Sequence, residues 1–423
     1  MMDYSVCQKL KKIRNFIKKQ MNHINEQTIV RKRKTFVQHV LFTMCDKAVN
    51  HTGYGESLLK MKNFHTIEKN ITSSSINKRV LDGRLNNYFE SLNQQILTLS
   101  ENHFSDKNTS KRILAVDGSQ LHLSKFLRGS GFTECHLDYY TDGLISTIYD
   151  IRNRIPLFFD LSYSLNERLA FHEQYIKLET KGSIGNNILI MDRGYFSKKL
   201  VSEILQFKDD FICRLKDNMT IVTDLIKCSS DTMIINYEEH SMRLIKYDIQ
   251  SIQKPYRMII NDQPGKPLKI IKNYNHYYLA TSLLDSQLYP SEKIIELYHQ
   301  RWSIEEFYKI FKGRLSNSTI QSVTEKSVRC ELLAHHFISI ITRHLTNQLH
   351  AKYDHHINYH VADSVIMNDV LPYLLFGIGG STSTSETLLL IEECQTPIRN
   401  NRSFPRRQRF HGSKFPYNST KEK

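Results

Sequence analysis

The chain predicts an α/β protein in which a β-rich insertion interrupts the α/β unit and a helical, basic module precedes it. Three observations carry this expectation. Short apolar runs, two of them ending in aspartate, alternate with helical segments over residues 109–216, and helical character resumes over 282–350. Residues 217–281 hold β-branched and aromatic runs of strand character. Residues 1–108 keep helical spacing of apolar positions and begin rich in Lys and Arg. A C-terminal region, 351–423, follows.

In the first module, residues 1–34 carry ten Lys or Arg against Asp3 and Glu26, with Leu10, Ile13, Phe16 and Ile17 on one helical side. This reads equally well as a DNA-binding unit and as a solvated amphipathic helix. "TSSSIN" at Thr72–Asn77 marks a turn with a capping serine. At Arg112 the texture changes. "ILAV" is a buried-strand run ending in Asp117-Gly118-Ser119, and three further strand segments follow as a meander divided at Gly143 and at Asn153–Arg154. "NERLAFHEQYIKLET" reads as a helix, "NNILIMDRGY" as a buried strand ending in Asp192, "SKKLVSEILQF" as a helix and "DFICRLK" as a strand. After the insertion come a helix from Ser291, an apolar helix over Glu331–Leu345, a Gly/Ser/Thr loop "GIGGSTSTSET" and a basic tail, Arg399–Lys423.

The 423 residues suffice for two or three structural units. A net charge of +15 favours a polyanionic partner, nucleic acid before an anionic membrane surface; a basic protein that merely stays soluble is the plainer alternative. No apolar run approaches the ~18–20 residues of a membrane span. "MMDYSVCQKLKKIRNFIKKQ" lacks the apolar core of a secretory signal, so a cytoplasmic protein is expected. Seven cysteines without a C-x-x-C pair read as reduced thiols, with neither a disulfide framework nor a zinc site. His335–His336 and His355–His356 lack a ligand cluster and read as structural or surface residues.

Within "YHQRWSIEEFYKIFKGRL", Tyr298, Arg301, Glu305 and Lys312 fall in a helical stripe of roughly 60°. Apolar Leu297, Ile304, Tyr308, Phe311 and Leu315 flank it, while His299, Ser303, Glu306 and Arg314 take the remaining, solvent side. Two-metal phosphoryl transfer requires carboxylates around cations about 3.5–4 Å apart. Asp117 and Asp192, each closing an apolar strand run, and Glu305 on a returning helix could supply them. Either aspartate alone reads as well as a strand-terminal turn residue, and Arg301–Glu305 as a helix ion pair. Neither plain reading accounts for Tyr298 or Lys312, which suit contacts with substrate phosphates. Trp302, the one tryptophan, reads as core in preference to a base-stacking platform.

The spacing Y-x2-R-x3-E-x6-K, with "AVDGS" around Asp117 and "MDRGYF" around Asp192, resembles the DDE transposases of bacterial insertion sequences, in the subgroup named for the YREK motif. "NERLAF" is similar to that family's Asn-Glu-Arg segment. The resemblance covers about residues 110–345 and implies an RNase H-like mixed-sheet core. It implies Asp117, Asp192 and Glu305 as ligands of two Mg²⁺, with Mn²⁺ able to substitute. It further implies excision through hairpin ends, strand transfer, and a homodimer assembled on double-stranded DNA at the bacterial nucleoid. Tyr298, Arg301 and Lys312 would hold terminal phosphates, and Arg214 and Lys216 would contact the element end. Tyr277 stands where the family more often has a tryptophan that stacks an extruded base. A nuclease that cuts without joining, or a silent DNA-binding descendant, is the alternative.

Overall fold

The computed structural model describes residues 2–28, 36–67, 71–104, 111–134, 140–180, 186–227, 230–237, 239–248, 259–260, 269–270, 276–315, 320, 322–347 and 355–397. The basic run Arg31–Lys34 and the basic tail lie outside them. Five helices come first: α1 (Met2–Thr28), α2 (Val37–Asn50), α3 (Tyr54–Asn63), α4 (Ser73–Asp82) and α5 (Arg84–Phe104). The α/β part runs β1 (Arg112–Ser124), β2 (Thr133–Glu134), β3 (Tyr140–Asp150), β4 (Ile155–Ser162), α6 (Glu167–Thr180), β5 (Asn187–Met191), α7 (Lys198–Gln206) and β6 (Asp210–Arg214). Then come α8 (Thr220–Lys227), β7 (Thr232–Tyr237), β8 (His240–Asp248), the two-residue β9 (Ile259–Ile260) and β10 (Lys269–Ile270), and β11 (His276–Thr281). Helices α9 (Ser291–His299), α10 (Trp302–Arg314) and α11 (Glu325–Thr346) return to the core. They precede β12 (His355–His356), α12 (Tyr359–Val365), α13 (Leu371–Phe376), α14 (Ser381–Glu393) and β13 (Thr396–Pro397).

The main sheet is mixed. Its core order is β4-β3-β1-β5-β6, with β1, β3 and β4 antiparallel and β1, β5 and β6 parallel. Third-second-first-fourth-fifth, with the second strand reversed, is the RNase H-like arrangement. The inserted strands extend the same sheet, because β11 pairs with β6 and carries β8 and β7 beyond it. Strand alternation divides the core in two. Leu114, Val116, Leu189, Met191 and Phe211 face a cluster that includes α6, α7 and the N-terminal helices. Ile113, Ala115, Ile188, Ile190 and Ile212 face the cluster of α9 and α10.

Helix α1 buries Leu10, Ile13, Ile17, Met21 and Ile24 at helical spacing against α13 and α14. Helices α2 and α5 pack on α11, so the N-terminal helices share one core with the sheet. Among the described residues no helix is long and apolar enough to cross a membrane.

Several local expectations are corrected. Thr72, not a serine, caps α4, its hydroxyl accepting from the Ser75 amide at 3.2 Å. Gly143 does not divide the meander: β3 runs through it, and a β-carbon there would lie 2.9 Å from Leu161 and 3.0 Å from Leu123. That glycine serves close packing, not a turn. Helix α8 stands where only strands are expected. Residues 381–393 are helical, the preceding Gly377, Gly379 and Gly380 taking the positive φ that ends α13 and turns the chain.

Candidate active site

Strands β1 and β5 are parallel with Val116 opposite Met191. The next residues are Asp117 and Asp192, so the two aspartates emerge side by side where β5 ends. β1 does not stop there; it continues to Ser124 paired on its β3 side, with Asp117 opposite Thr147. Asp117 is therefore a mid-strand residue left beside an open strand edge, not a strand terminus. By alternation from Ala115 and Ile190 both aspartates face α10. That helix is fixed over them by buried Ile304, Phe307 and Phe311, and by the Tyr308 hydroxyl. The hydroxyl donates to the carbonyl oxygens of Asp117 at 2.9 Å and Ile145 at 3.2 Å.

The expected single helix is in fact α9 and α10, joined by a tightened turn. The amides of Gln300, Arg301, Ser303 and Ile304 reach the carbonyl three residues back. Arg301 sits at that joint. Its Nη2 lies 2.7 Å from Glu305 Oε1 and its Nη1 3.8 Å from Asp117 Oδ2, so one guanidinium spans two of the three acids. The Tyr298 hydroxyl donates to Asp192 Oδ1 at a long 3.4 Å. Burial opposes the Arg301 charge, but Tyr298, Asp117, Asp192 and Glu305 together raise its pKa above the ordinary arginine value. Burial, opposed by Arg301 but reinforced by Glu167 and Glu305, pushes the Asp117 carboxyl up to about 7. Burial and the neighbouring Asp192 raise the Tyr298 phenol, keeping it a neutral donor.

Lys312 reaches back along the same face and donates to the Gln120 carbonyl at 2.6 Å; burial lowers its pKa and Asp117 partly offsets that. Cys213 stands opposite Met191, so Arg214 follows on β6 beside Asp192; its guanidinium lies 3.9 Å above the Tyr277 ring centroid and within the field of Tyr298. Edge contacts through Tyr247 and His299 link that pair to Tyr298. Lys216 is exposed just beyond the end of β6. Trp302 is 39% exposed, not core: its indole donates to Glu306 and Lys309 lies over its ring. Arg314, expected on the solvent side, is buried against Asp363. Two contributors go unassigned in the sequence. Tyr308 is hidden in the apolar stripe, and Glu167, at the start of α6, adds a fourth carboxylate near Asp117 and Asp192.

Among the described residues no three His, Cys, Asp or Glu side chains grip a metal position as they lie; Arg301 holds two of the carboxylates instead. The donor chemistry nevertheless suits a hard divalent cation. Every candidate ligand is a carboxylate oxygen, and Asp117 is held far above an ordinary carboxylate even with Arg301 beside it.

The sequence profile of the transposase DDE domain family matches residues 108–341. The chain belongs to the DDE transposase family. The family's domain thus starts just before β1 and ends inside α11, taking in the whole sheet and the Asp117, Asp192 and Glu305 positions. A probable transposase for insertion sequence element IS5377 of Geobacillus stearothermophilus is 24% identical over 163 residues, which cover 38% of this chain and 40% of that protein. A piggyBac transposase synaptic complex with hairpin DNA, solved by cryo-EM, aligns over 92% of this chain and 82% of its own, at 13% identity and a TM-score of 0.42.

Proposed function

We propose that this DDE-family chain is a cut-and-paste transposase of the YREK subgroup. It binds the terminal inverted repeats of its insertion sequence, excises the element through hairpin ends and joins it to target DNA. The carrying observation is the Val116–Met191 register, which sets Asp117 and Asp192 side by side beneath Glu305. Asp117, Asp192 and Glu305 would hold two Mg²⁺, or Mn²⁺ in their place. When bound, such cations activate an attacking oxygen and stabilise the departing one in phosphodiester chemistry.

The remaining residues bind and orient the DNA. Arg301 has more donors than its two carboxylate contacts use, so it can take a phosphate oxygen while keeping Glu305 in place. Tyr298, a buried neutral phenol, can donate to a second phosphate oxygen, and Lys312 adds charge further along α10. Arg214, Lys216 and Tyr277 would grip the element end, the Tyr277 ring serving as platform for an unpaired base. Two copies of the chain would be bridged by two DNA ends. With phosphate contacts dominating affinity, end binding weakens steeply as salt rises.

The test uses purified full-length protein, a linear duplex ending in the element's terminal repeat, and Mg²⁺ or Mn²⁺. The expected result on a denaturing gel is metal-dependent nicking, then a hairpin, then joining of pre-cut ends to target, all lost in Glu305→Ala. Cleavage without joining would reduce the protein to a nuclease. Tight binding with no cleavage would contradict the proposal.

A further inference from the structure

Glu167 approaches the aspartates from the side opposite α10, because the rest of α6 packs Phe171, Tyr175 and Leu178 into the other core cluster. Both aspartate motifs carry a glycine where this side chain arrives. A β-carbon on Gly118, directly after Asp117, would lie 2.7 Å from Glu167 Cγ and 3.2 Å from its Cδ. One on Gly194, two residues after Asp192, would lie 3.8 Å from Glu167 Oε2. Neither glycine has a positive φ, so the backbone does not require them. At Gly194 a β-carbon would make only ordinary contact, whereas Gly118 provides room for the Glu167 side chain and also for Leu144, whose Cδ1 would lie 3.2 Å from the β-carbon.

That carboxylate is half-buried and makes no hydrogen bond or ion pair among the described residues. Its electrostatic neighbours are Asp192, which repels it, and Arg301, which is already engaged with Glu305 and Asp117. Leaving a partly desolvated carboxylate without a partner is costly, and aiming it at two further aspartates adds repulsion. A protein retains such an arrangement when a cation completes it.

We infer that Glu167 is a fourth oxygen ligand of the cation centre, admitted beside Asp117 by Gly118. The inference rests on reading the site as a cation centre. It makes the centre four carboxylates around one guanidinium, a balance matched to two divalent cations and a phosphate. Gly118 becomes a ligand-positioning residue: a methyl there would push Glu167 off the site.

Titration of full-length protein with Mn²⁺, followed by the EPR signal of the free ion, tests this without DNA or activity. Glu167→Gln is expected to weaken Mn²⁺ binding by roughly 10–100-fold, the scale on which ligand-shell changes act. Gly118→Ala is expected to weaken it comparably in the wild-type background and to add little in the Glu167→Gln background, because both changes remove the same carboxylate. Wild-type Mn²⁺ affinity in Glu167→Gln, or full additivity of the two changes, would overturn the inference while leaving the three-carboxylate centre standing. Absence of Mn²⁺ binding in wild type would overturn the cation centre itself.

Discussion

Helix α10 has an arginine at each end, and the two are used in opposite ways. Arg314, its last residue, meets one carboxylate, Asp363 of α12, with side-chain exposures of 6% and 0%. Thr342 donates a further hydrogen bond to that acid. Burial, with Arg343 adding repulsion, lowers Arg314 to about 9. It is a dry, one-to-one pair. Arg301, at the start of α10, is shared by Glu305 and Asp117, which are 28% and 18% exposed, with Asp192 and Glu167 in its field. Matched charge out of water fixes two helices together. Surplus negative charge at an open strand edge leaves work for a cation from outside. The same pair of functional groups thus builds structure at one end of a helix and the candidate active site at the other.

The contrast can be broken first at the site. Asp192→Asn is expected to lower single-turnover DNA cleavage on the order of a thousandfold while leaving the thermal melt no lower than wild type. A variant that cleaves normally would remove Asp192 from the chemistry.

At the other end, Arg314→Ala leaves Asp363 buried without its counterion. It should cost about 3–5 kcal/mol in denaturant unfolding. The Arg301 guanidinium is 12% exposed but is shared by two part-exposed carboxylates, so Arg301→Ala should cost less stability than Arg314→Ala yet slow cleavage. Equal stability losses at both positions would erase the distinction.

Asp117 sharpens it through pH. Its folded pKa, about 7, lies above the ordinary 3.8, so the ionised form is worse off in the fold than in the unfolded chain. Stability of the metal-free protein should therefore fall as pH rises from about 4 to about 7 and then level off. Asp117→Asn should be more stable than wild type by about 1–3 kcal/mol at pH 8, the gap closing near pH 4. A gap independent of pH would contradict this. The smallest expected effect is Tyr308→Phe, which removes the hydroxyl tying α10 to the carbonyls of Asp117 and Ile145. About 0.5–1.5 kcal/mol of stability should go with it, as calorimetry would show.

How much of this is legible in the sequence follows from the range of each interaction. Ile113–Val116 and Ile188–Met191 announce buried strands by local composition, and an aspartate closing each run is visible at once. The Y-x2-R-x3-E-x6-K spacing is local as well, so a helix bearing Glu305 is legible, but not its break at Gln300–Arg301 or the burial of Phe307. The register is not. That Val116 stands opposite Met191 is decided by packing between segments far apart in the chain, and so is the open edge that makes Asp117 a mid-strand residue. Arg314 misleads because its partner arrives later, on α12. Gly143 misleads because a glycine needed by Leu123 and Leu161 looks the same as a glycine that makes a turn. Glu167 lies in the marked Asn-Glu-Arg segment, but its place beside Asp117 depends on Gly118, far away in the chain.

In the proposed function, the edge holding Asp117, Asp192 and Glu305 is where a divalent cation sits. Fe²⁺ loaded in place of Mg²⁺, followed by brief exposure to ascorbate and peroxide, cuts the backbone beside the bound metal. Mass spectrometry of the fragments then maps the site on the full-length protein. Cuts clustered beside Asp117, Asp192 and Glu305, suppressed by excess Mg²⁺ and absent in Asp192→Asn, are the expected result. Cuts elsewhere, or an unchanged pattern in that variant, would contradict a cation at this edge.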